Sequence, residues 1–173
     1  LDHQYKTNLL NSQKERSENV MIVDLVRNDL SRICKSGTVT VQELFGIYTF
    51  PQVFQMISTI QGELPHTAHW TDALKVCFPM GSMTGAPKKR VMELIDQYEE
   101  MGRGLFSGSI GYITPQADFD FNVVIRSIFY DQANHDLSYA AGGGITFNSI
   151  AENEYEECLL KAAAIQQVFN NNL

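Results

Sequence analysis

The stretch Ala140-Ala-Gly-Gly-Gly-Ile-Thr-Phe-Asn-Ser149 joins a predicted strand to a predicted helix, and Glu154-x-x-Glu157-x-x-x-Lys161 follows it. Spacings of three and four residues place both carboxylates and the ammonium on one face of that helix. Two acidic side chains on one face can hold a hard divalent cation, and the lysine beside them suits an anionic ligand. The stretch therefore indicates a site that binds a carboxylate through a metal ion.

Each part of this stretch also has an explanation that involves no ligand. A Glu–Lys pair four residues apart is common on a solvated helix face, and a glycine run can mark a bulge or a tight strand end. The run Gly142-Gly143-Gly144 directly upstream favours a binding site. Glycine lets the backbone approach a ligand closely and present N–H groups to an anion.

The composition limits the classes of protein to consider. The 173 residues, 44% of them hydrophobic, suffice for one globular domain, and the net charge of −7 argues against nucleic-acid or anionic-membrane binding. Cys34, Cys77 and Cys158 are far apart and form no CxxC pair, which predicts reduced thiols in a cytoplasmic protein. We predict neither a signal peptide nor a membrane span. Because the first residue is Leu1 and not methionine, we expect the sequence to be a piece of a longer protein.

The predicted elements follow the order helix, strands, helix, strands, helix, which favours the α+β class with helices on mostly antiparallel sheet. Ser12-x-x-Glu15 predicts the start of a first helix that runs to about Ile33, and we expect its apolar middle, residues 20–26, to be buried. The other predicted elements are strands over 38–49 and 53–64, helices over 71–78 and 88–100, strands over 107–114, 120–130 and 137–147, and a last helix capped by Ser149-x-x-Glu152 that runs to about Asn170.

Four further features carry charge or an anion-binding geometry. Glu18 near the start of the first helix suits the helix dipole, and it would gain a metal-binding role by meeting Glu154 and Glu157 across a cleft. The Gly-rich turn over residues 81–88 leads into a helix N-terminus, which can bind an anion or be an ordinary loop and cap. Arg126 within an apolar strand must pair with a protein acid or with a ligand carboxylate. The polar residues 27–29 are more typical of an internal polar network than of a catalytic set.

Six segments together closely resemble the chorismate-utilising enzymes, a family that includes anthranilate, aminodeoxychorismate, isochorismate and salicylate synthases. They are collinear over nearly the whole chain: Glu18-Asn-Val-Met-Ile-Val-Asp-Leu-Val-Arg-Asn-Asp29, Gly81-Ser-Met-Thr-Gly-Ala-Pro-Lys88, Gly108-Ser-Ile-Gly-Tyr112, Val124-Ile-Arg126, Ala141-Gly-Gly-Gly144 and Glu154-x-x-Glu157-x-x-x-Lys161. The resemblance implies that residues 1–173 form a single chorismate-binding domain. This would be the C-terminal part of an anthranilate-synthase-type two-sheet sandwich with outer helices, with the N-terminal portion absent.

The resemblance also implies roles for individual residues. Glu18 and Glu157 match the family's Mg²⁺ ligands, with Glu154 beside them directly or through water, and the ion would bind the ring carboxylate of chorismate. Arg126 matches the arginine that holds the enolpyruvyl carboxylate. The remaining substrate-binding positions would contact the carboxylates through a hydroxyl, backbone N–H groups and an ammonium; they are Ser82, Gly143, Gly144 and Lys161.

Three departures from the family pattern bear on the reaction. The family's Pro-Ile-x-Gly-Thr motif is not in this chain and by spacing should end just before Leu1; in aminodeoxychorismate synthases its variable residue is a lysine thought to act as nucleophile. Gln55 stands at the position of a catalytic histidine, and glutamine is a poor proton shuttle. Phe106 replaces a tyrosine near the substrate. The last two changes predict amination of chorismate without aromatisation.

The resemblance is therefore strongest to the aminodeoxychorismate synthase branch, which the segment Phe78-Pro-x-Gly-Ser-x-Thr-Gly-Ala-Pro-Lys88 also favours. It implies Mg²⁺-dependent amination of chorismate to 4-amino-4-deoxychorismate, with ammonia from a glutaminase subunit or domain, on the route to p-aminobenzoate and folate. Two alternatives stay open: anthranilate synthase component I, and an inactive fragment that binds ligand or only folds. An uncovered inner surface would favour self-association.

Overall fold

A computed structural model describes residues 2–51, 53–147 and 149–170. Its helices and strands alternate in the predicted manner, and every strand pair is antiparallel, so the α+β class is confirmed. The elements are α1 Asp2–Asn11, α2 Gln13–Ser31, β1 Thr40–Thr49, β2 Phe54–Gln61, α3 Trp70–Cys77, a 3₁₀ turn Gly81–Met83, α4 Lys88–Tyr98, β3 Ser109–Ile113, β4 Phe119–Val123, β5 Ile128–Asp131, β6 Asp136–Tyr139 and α5 Ala151–Asn170. The chain divides into two compact units, residues 1–97 and 98–173.

The first unit is built on the hairpin β1–β2, which α1 and α2 pack against. The hairpin register runs from Thr40 opposite Gln61 to Thr49 opposite Phe54. It is interrupted by an irregularity before Gly46, where Phe45 takes a left-handed φ of 60°. The Ser12 hydroxyl accepts a hydrogen bond from Glu15 N at 3.3 Å and so begins α2, as the sequence predicted.

The predicted burial of the middle of this helix is wrong. Val23 is buried, but 40% of Val20 and 37% of Met21 are exposed. The hairpin and α3 pack against α2. Within the described residues of this unit, these elements cover only part of its circumference, so apolar side chains that point elsewhere stay exposed. An apolar run on all sides of a helix predicts burial only where other elements surround it.

Helix α1 was not predicted. The capping box at Ser12 pointed to a first helix that begins there, and none of the α1 residues is buried. The peptide group of Ser12 donates to Leu9 O at 3.2 Å, so the chain turns from α1 directly into α2. The predicted helices over 71–78 and 88–100 are confirmed as α3 and α4, each within two residues of its predicted bounds.

The second unit contains the hairpins β3–β4 and β5–β6 and the helix α5. The predicted strand over 120–130 is interrupted: β4 ends at Val123 and β5 begins at Ile128. Between them Ile125 N donates to Val123 O at 3.0 Å, and Arg126 has a left-handed φ of 50°. Val124 N still donates across to Gly108 O at 2.9 Å, so the strand pairing ends after Val124. The predicted strand over 137–147 likewise ends early, at Tyr139.

None of the helices in the described ranges combines the length and the apolar character needed to cross a bilayer.

Gly111 lies at the centre of β3, and replacing it with alanine is expected to destabilise the β3–β4 hairpin by about 1–3 kcal/mol. A Cβ at this position would lie 2.0 Å from Asp120 O, a backbone atom of the partner strand that cannot move aside alone. Amide hydrogen exchange of the two strands should accelerate. The control is Gly102→Ala, because a Cβ at Gly102 meets nothing within 4 Å. Equal exchange in the two variants would contradict the expectation.

Candidate functional site

The segment that precedes α5 brings three of the predicted site features together. The Lys161 ammonium donates to Gly142 O at 3.0 Å and lies 2.7 Å from Glu157 Oε1. The helical spacing of Glu157 and Lys161 therefore produces an ion pair, as expected for a solvated helix face that binds no ligand. The same lysine also donates to the glycine run. The interaction ties the loop over residues 140–147 to the face of α5 that carries the acids.

Glu154 is the most enclosed acid of this face, with only 6% of its surface exposed. Its Oε1 accepts a hydrogen bond from the Ser149 hydroxyl at 2.8 Å. Its other oxygen lies against the glycine run, because a Cβ on Gly143 would stand 3.1 Å from Glu154 Oε2. A side chain at position 143 would crowd the carboxylate, which gives a physical reason for glycine there. A Cβ on Gly144 would meet nothing within 4 Å.

Arg126 lies in the exposed turn between β4 and β5, and the prediction that it sits inside an apolar strand is wrong. The apolar residues on both sides of it belong to two different strands. In this position the guanidinium does not have to be compensated by a buried acid. An exposed arginine in a turn can reach a ligand carboxylate with both of its terminal nitrogens.

In the first unit, Glu18 lies on α2, where its Oε1 is 4.0 Å from Lys14 Nζ and its side chain is about one-third exposed. The next residue, Asn19, accepts a hydrogen bond from the Ser58 hydroxyl of β2 at 2.5 Å. Ser58 Oγ in turn accepts from the backbone N–H of Phe45 at 3.0 Å. These bonds anchor the Glu18 turn of α2 to the irregularity in the β1–β2 hairpin.

Gln55 and Ser82 also belong to the first unit. Gln55 lies in β2 opposite Tyr48 and is half-buried. Ser82 is exposed in the 3₁₀ turn that precedes α4. Gly81 beside it is buried, and a Cβ there would lie 2.0 Å from Leu25 Cδ2 of α2. The close approach to α2 explains the first glycine of the Gly-rich turn by packing, and it leaves the Ser82 hydroxyl at the surface.

The predicted polar network around residues 27–29 is confirmed for Asp29. This carboxylate is buried and lies 2.5 Å from Lys88 Nζ at the start of α4. Lys88 also donates to Cys77 O at 3.5 Å. Burial raises the pKa of the Cys77 thiol, and the Asp29 carboxylate raises it further. Arg27 instead forms a surface pair with Asp24, with Nη1 and Oδ1 2.9 Å apart. Cys34, Cys77 and Cys158 are all free thiols.

Oxygen donors suited to Mg²⁺ are present in both units, Glu18 in the first and Glu154 and Glu157 in the second. Hard cations of this kind prefer carboxylate oxygens. The two acids of α5 fit such an ion because they are one turn apart on one face, next to exposed backbone of the glycine run. Within the described residues of either unit, no three His, Cys, Asp or Glu side chains converge closely enough to hold a metal by themselves.

Sequence reasoning missed two contributors to this geometry. Ser149 was interpreted as a helix cap, whereas its hydroxyl binds Glu154. Ser58 had no predicted role, whereas it joins α2 to the hairpin. The one signal for Ser149 was its position five residues before an acid of the predicted site. Nothing in the spacing of Asn19 and Ser58, which are 39 residues apart, points to their contact.

Comparison with known proteins gives consistent matches. The model of a family described as chorismate binding enzyme matches residues 1–167. Aminodeoxychorismate synthase component 1 of Salmonella typhimurium is 44% identical over 170 residues, which are 98% of this chain and 37% of that protein. Anthranilate synthase component 1 of Aquifex aeolicus is 39% identical over 166 residues, 96% of this chain and 33% of that protein. The chain therefore spans about a third of the length of these relatives.

The fold of the chain is also similar to that of a solved structure. The crystal structure of anthranilate synthase component I from Streptococcus pneumoniae superposes with a TM-score of 0.84 at 38% identity. The match covers 93% of this chain and 37% of that one.

Proposed function

Because the chain belongs to the family of chorismate-binding enzymes, we propose that it supplies the chorismate-binding and Mg²⁺-binding residues of an aminodeoxychorismate synthase component 1. The observation that carries the proposal is the meeting of the glycine run, Glu154, Glu157 and Lys161 at the start of α5. Acidic ligands, an ammonium and accessible backbone N–H groups together suit a dianionic substrate held partly through a cation. The identity to relatives of that name supports the choice of branch.

In the proposed reaction a C–N bond to ammonia replaces the C–O bond of the ring hydroxyl of chorismate, and the hydroxyl leaves as water with a proton from ammonia, which gives 4-amino-4-deoxychorismate. When bound, Mg²⁺ would act as a Lewis acid at the ring carboxylate. Glu18, Glu154 and Glu157 would hold the ion. Arg126, exposed in its turn, would hold the enolpyruvyl carboxylate in a bidentate fork. By the match to the family, the carboxylates would be oriented by Ser82, by the backbone N–H groups of Gly143 and Gly144, and by Lys161.

Gln55 decides where the reaction stops in this proposal. A histidine can take up and release a proton near neutral pH, whereas the glutamine amide cannot. Without that proton transfer, elimination of pyruvate and aromatisation would not follow amination. Gln55 can still donate and accept hydrogen bonds from its place in β2. The product would then pass to a separate activity that forms p-aminobenzoate for folate synthesis.

The proposal also includes a protein partner and a cellular location. The relatives are named component 1, which implies a second component, and we propose a glutaminase subunit or domain that supplies ammonia. Three free thiols are in keeping with a cytoplasmic location. That residues 1–173 act as one domain, and that the fragment self-associates through exposed apolar surface, stay predictions.

Anthranilate synthase component 1 is the second candidate, since a relative of that name is 39% identical and a structure of that name superposes closely. Product analysis separates the two. A protein that contains this chain, incubated with chorismate, ammonia and Mg²⁺, should yield 4-amino-4-deoxychorismate by liquid chromatography and mass spectrometry. Anthranilate or isochorismate as the main product would overturn the proposal. If 4-amino-4-deoxychorismate is the main product, the variant Gln55→His should convert part of it to an aromatic compound, because histidine can transfer the proton that glutamine cannot.

A further inference from the structure

We propose that Ser149 is a positioning residue that holds the Glu154 carboxylate in place for Mg²⁺, an inference that rests on the function proposed above. Ser149 lies outside every residue set assigned so far to substrate or metal. Its role follows from three observations: the direction of its hydrogen bonds, the burial of Glu154, and the closeness of Glu154 Oε2 to the place that a side chain on Gly143 would occupy.

The Ser149 hydroxyl has its hydrogen-bond direction set by its neighbours. The backbone N–H of Thr146 donates to Ser149 Oγ at 2.9 Å, so the oxygen acts as an acceptor there. A carboxylate can only accept, so the hydroxyl proton goes to Glu154 Oε1, 2.8 Å away. Ser149 N also donates to Thr146 O at 3.0 Å, which closes the turn. The serine is therefore held from both sides before any ligand arrives.

Glu154 needs this support because it is buried. Removing a carboxylate from water is costly unless hydrogen bonds replace its hydration. The neighbouring acids of α5 do not share this burial: Glu152 and Glu156 are exposed and Glu157 is partly exposed. A charge-assisted bond from Ser149 is thus directed at the acid with the least access to solvent.

The bond to Ser149 also orients the carboxylate. Oε1 is engaged by the serine, whereas Oε2 lies beside the backbone of Gly143. Rotation of the carboxylate about its last torsion would break the serine contact and move Oε2 off the glycine run. Groups that orient a ligand residue in this way commonly alter metal affinity by roughly 10–100-fold when they are removed.

Ser149 does not serve mainly as the predicted helix cap. Helix α5 begins at Ala151, and the first-turn bond from Glu154 N goes to Ile150 O at 3.0 Å. The hydroxyl is instead engaged by Thr146 N and Glu154 Oε1, as described above. A helix cap would contribute to stability alone, whereas a bond to the carboxylate contributes to metal affinity as well.

The test is calorimetric titration of Mg²⁺, in the presence of chorismate, into a protein that contains this chain and into its variants. Ser149→Ala should weaken Mg²⁺ binding by roughly 10–100-fold. Ser149→Thr, which keeps the hydroxyl, should recover most of the affinity. Ser31→Ala is the matched control, since it also removes a serine hydroxyl with a hydrogen bond, in that case to Asn28 O, and should leave the affinity unchanged.

A second experiment tests whether Ser149 changes the Mg²⁺ affinity by acting on Glu154. In a Glu154→Gln background, Ser149→Ala should cause little further loss of affinity, because the oriented carboxylate is already gone. If the alanine variant does not fold, Ser149→Cys carries the test, since the thiol keeps the size but is a weak donor. Metal-free thermal unfolding measures any purely structural effect separately.

The outcomes separate the inference from the proposed function. Equal Mg²⁺ affinity in the original chain and Ser149→Ala, with binding lost in Glu157→Gln, would overturn the role of Ser149 alone. Failure of the unmutated protein that contains this chain to bind Mg²⁺ with chorismate would overturn both. Additive losses in the double variant would show that Ser149 does not act through Glu154.

Discussion

Replacing Asp29 with alanine is expected to lower the free energy of unfolding of the chain by about 3–5 kcal/mol. The Asp29 side chain is only 7% exposed and its partner Lys88 only 18%. Removing the carboxylate leaves the ammonium enclosed without its counter-charge, and the carbonyl of Cys77 at 3.5 Å replaces little of that interaction. The loss should therefore far exceed that of a surface ion pair.

Urea denaturation followed by Trp70 fluorescence measures this effect. Trp70 is the single tryptophan, and it begins α3, which packs against α2. The matched control is Asp24→Ala on the same helix, which breaks the exposed pair with Arg27 and should cost less than about 1 kcal/mol. An apolar double replacement, Asp29→Leu with Lys88→Met, should recover much of the loss. Similar losses for Asp24→Ala and Asp29→Ala would refute the argument.

Glu157→Gln is expected to weaken Mg²⁺-dependent binding of chorismate by at least roughly 100-fold, more than loss of a supporting residue causes. The amide keeps the size of the side chain but removes the negative charge that a hard cation requires. It also removes the ionic partner of Lys161, whose ammonium stays bonded to Gly142 O. Chorismate titrations with and without Mg²⁺ measure the effect.

The neighbouring residue supplies the control for this second experiment. Glu156 is exposed on a different side of the same helix turn, and Glu156→Gln makes the same chemical change there. Its chorismate affinity should match that of the original chain. If Glu157→Gln retains Mg²⁺-dependent binding, or if both variants lose it equally, the assignment of Glu157 as a metal ligand is wrong.

Local signals in the sequence predict much of the fold. Ser12-x-x-Glu15 places the start of α2 correctly because a cap depends on neighbours within one turn. The spacing of Glu157 and Lys161 predicts their contact for the same reason. The residues of the proposed site were identified through the family resemblance. For the glycine run and the acids of α5, the contacts within the second unit agree with the prediction that these residues lie close together.

The sequence-based predictions fail where the structure depends on residues far apart in the chain or on an unusual backbone conformation. Apolar residues on both sides of Arg126 gave the pattern of one strand, and no glycine, proline or asparagine marked the left-handed turn at that position. The spacing Ser149-x-x-Glu152 matched a cap, while the actual partner, Glu154, is chosen by the path of the loop. The pair of Asp29 and Lys88 joins residues 59 apart, which no local pattern encodes.

Among the residues that the structure describes, strand β3 pairs only with β4, and its other edge has a consequence for handling the chain. Strand β3 carries no charged residue, and Ile110 and Tyr112 are 67% and 63% exposed. Unpaired strand edges of this kind are templates for stacking with other copies. The net charge of −7 opposes that stacking by repulsion between copies. Because salt shortens the reach of this repulsion to about 8 Å at physiological ionic strength, the colloidal stability of the chain falls as the salt concentration rises.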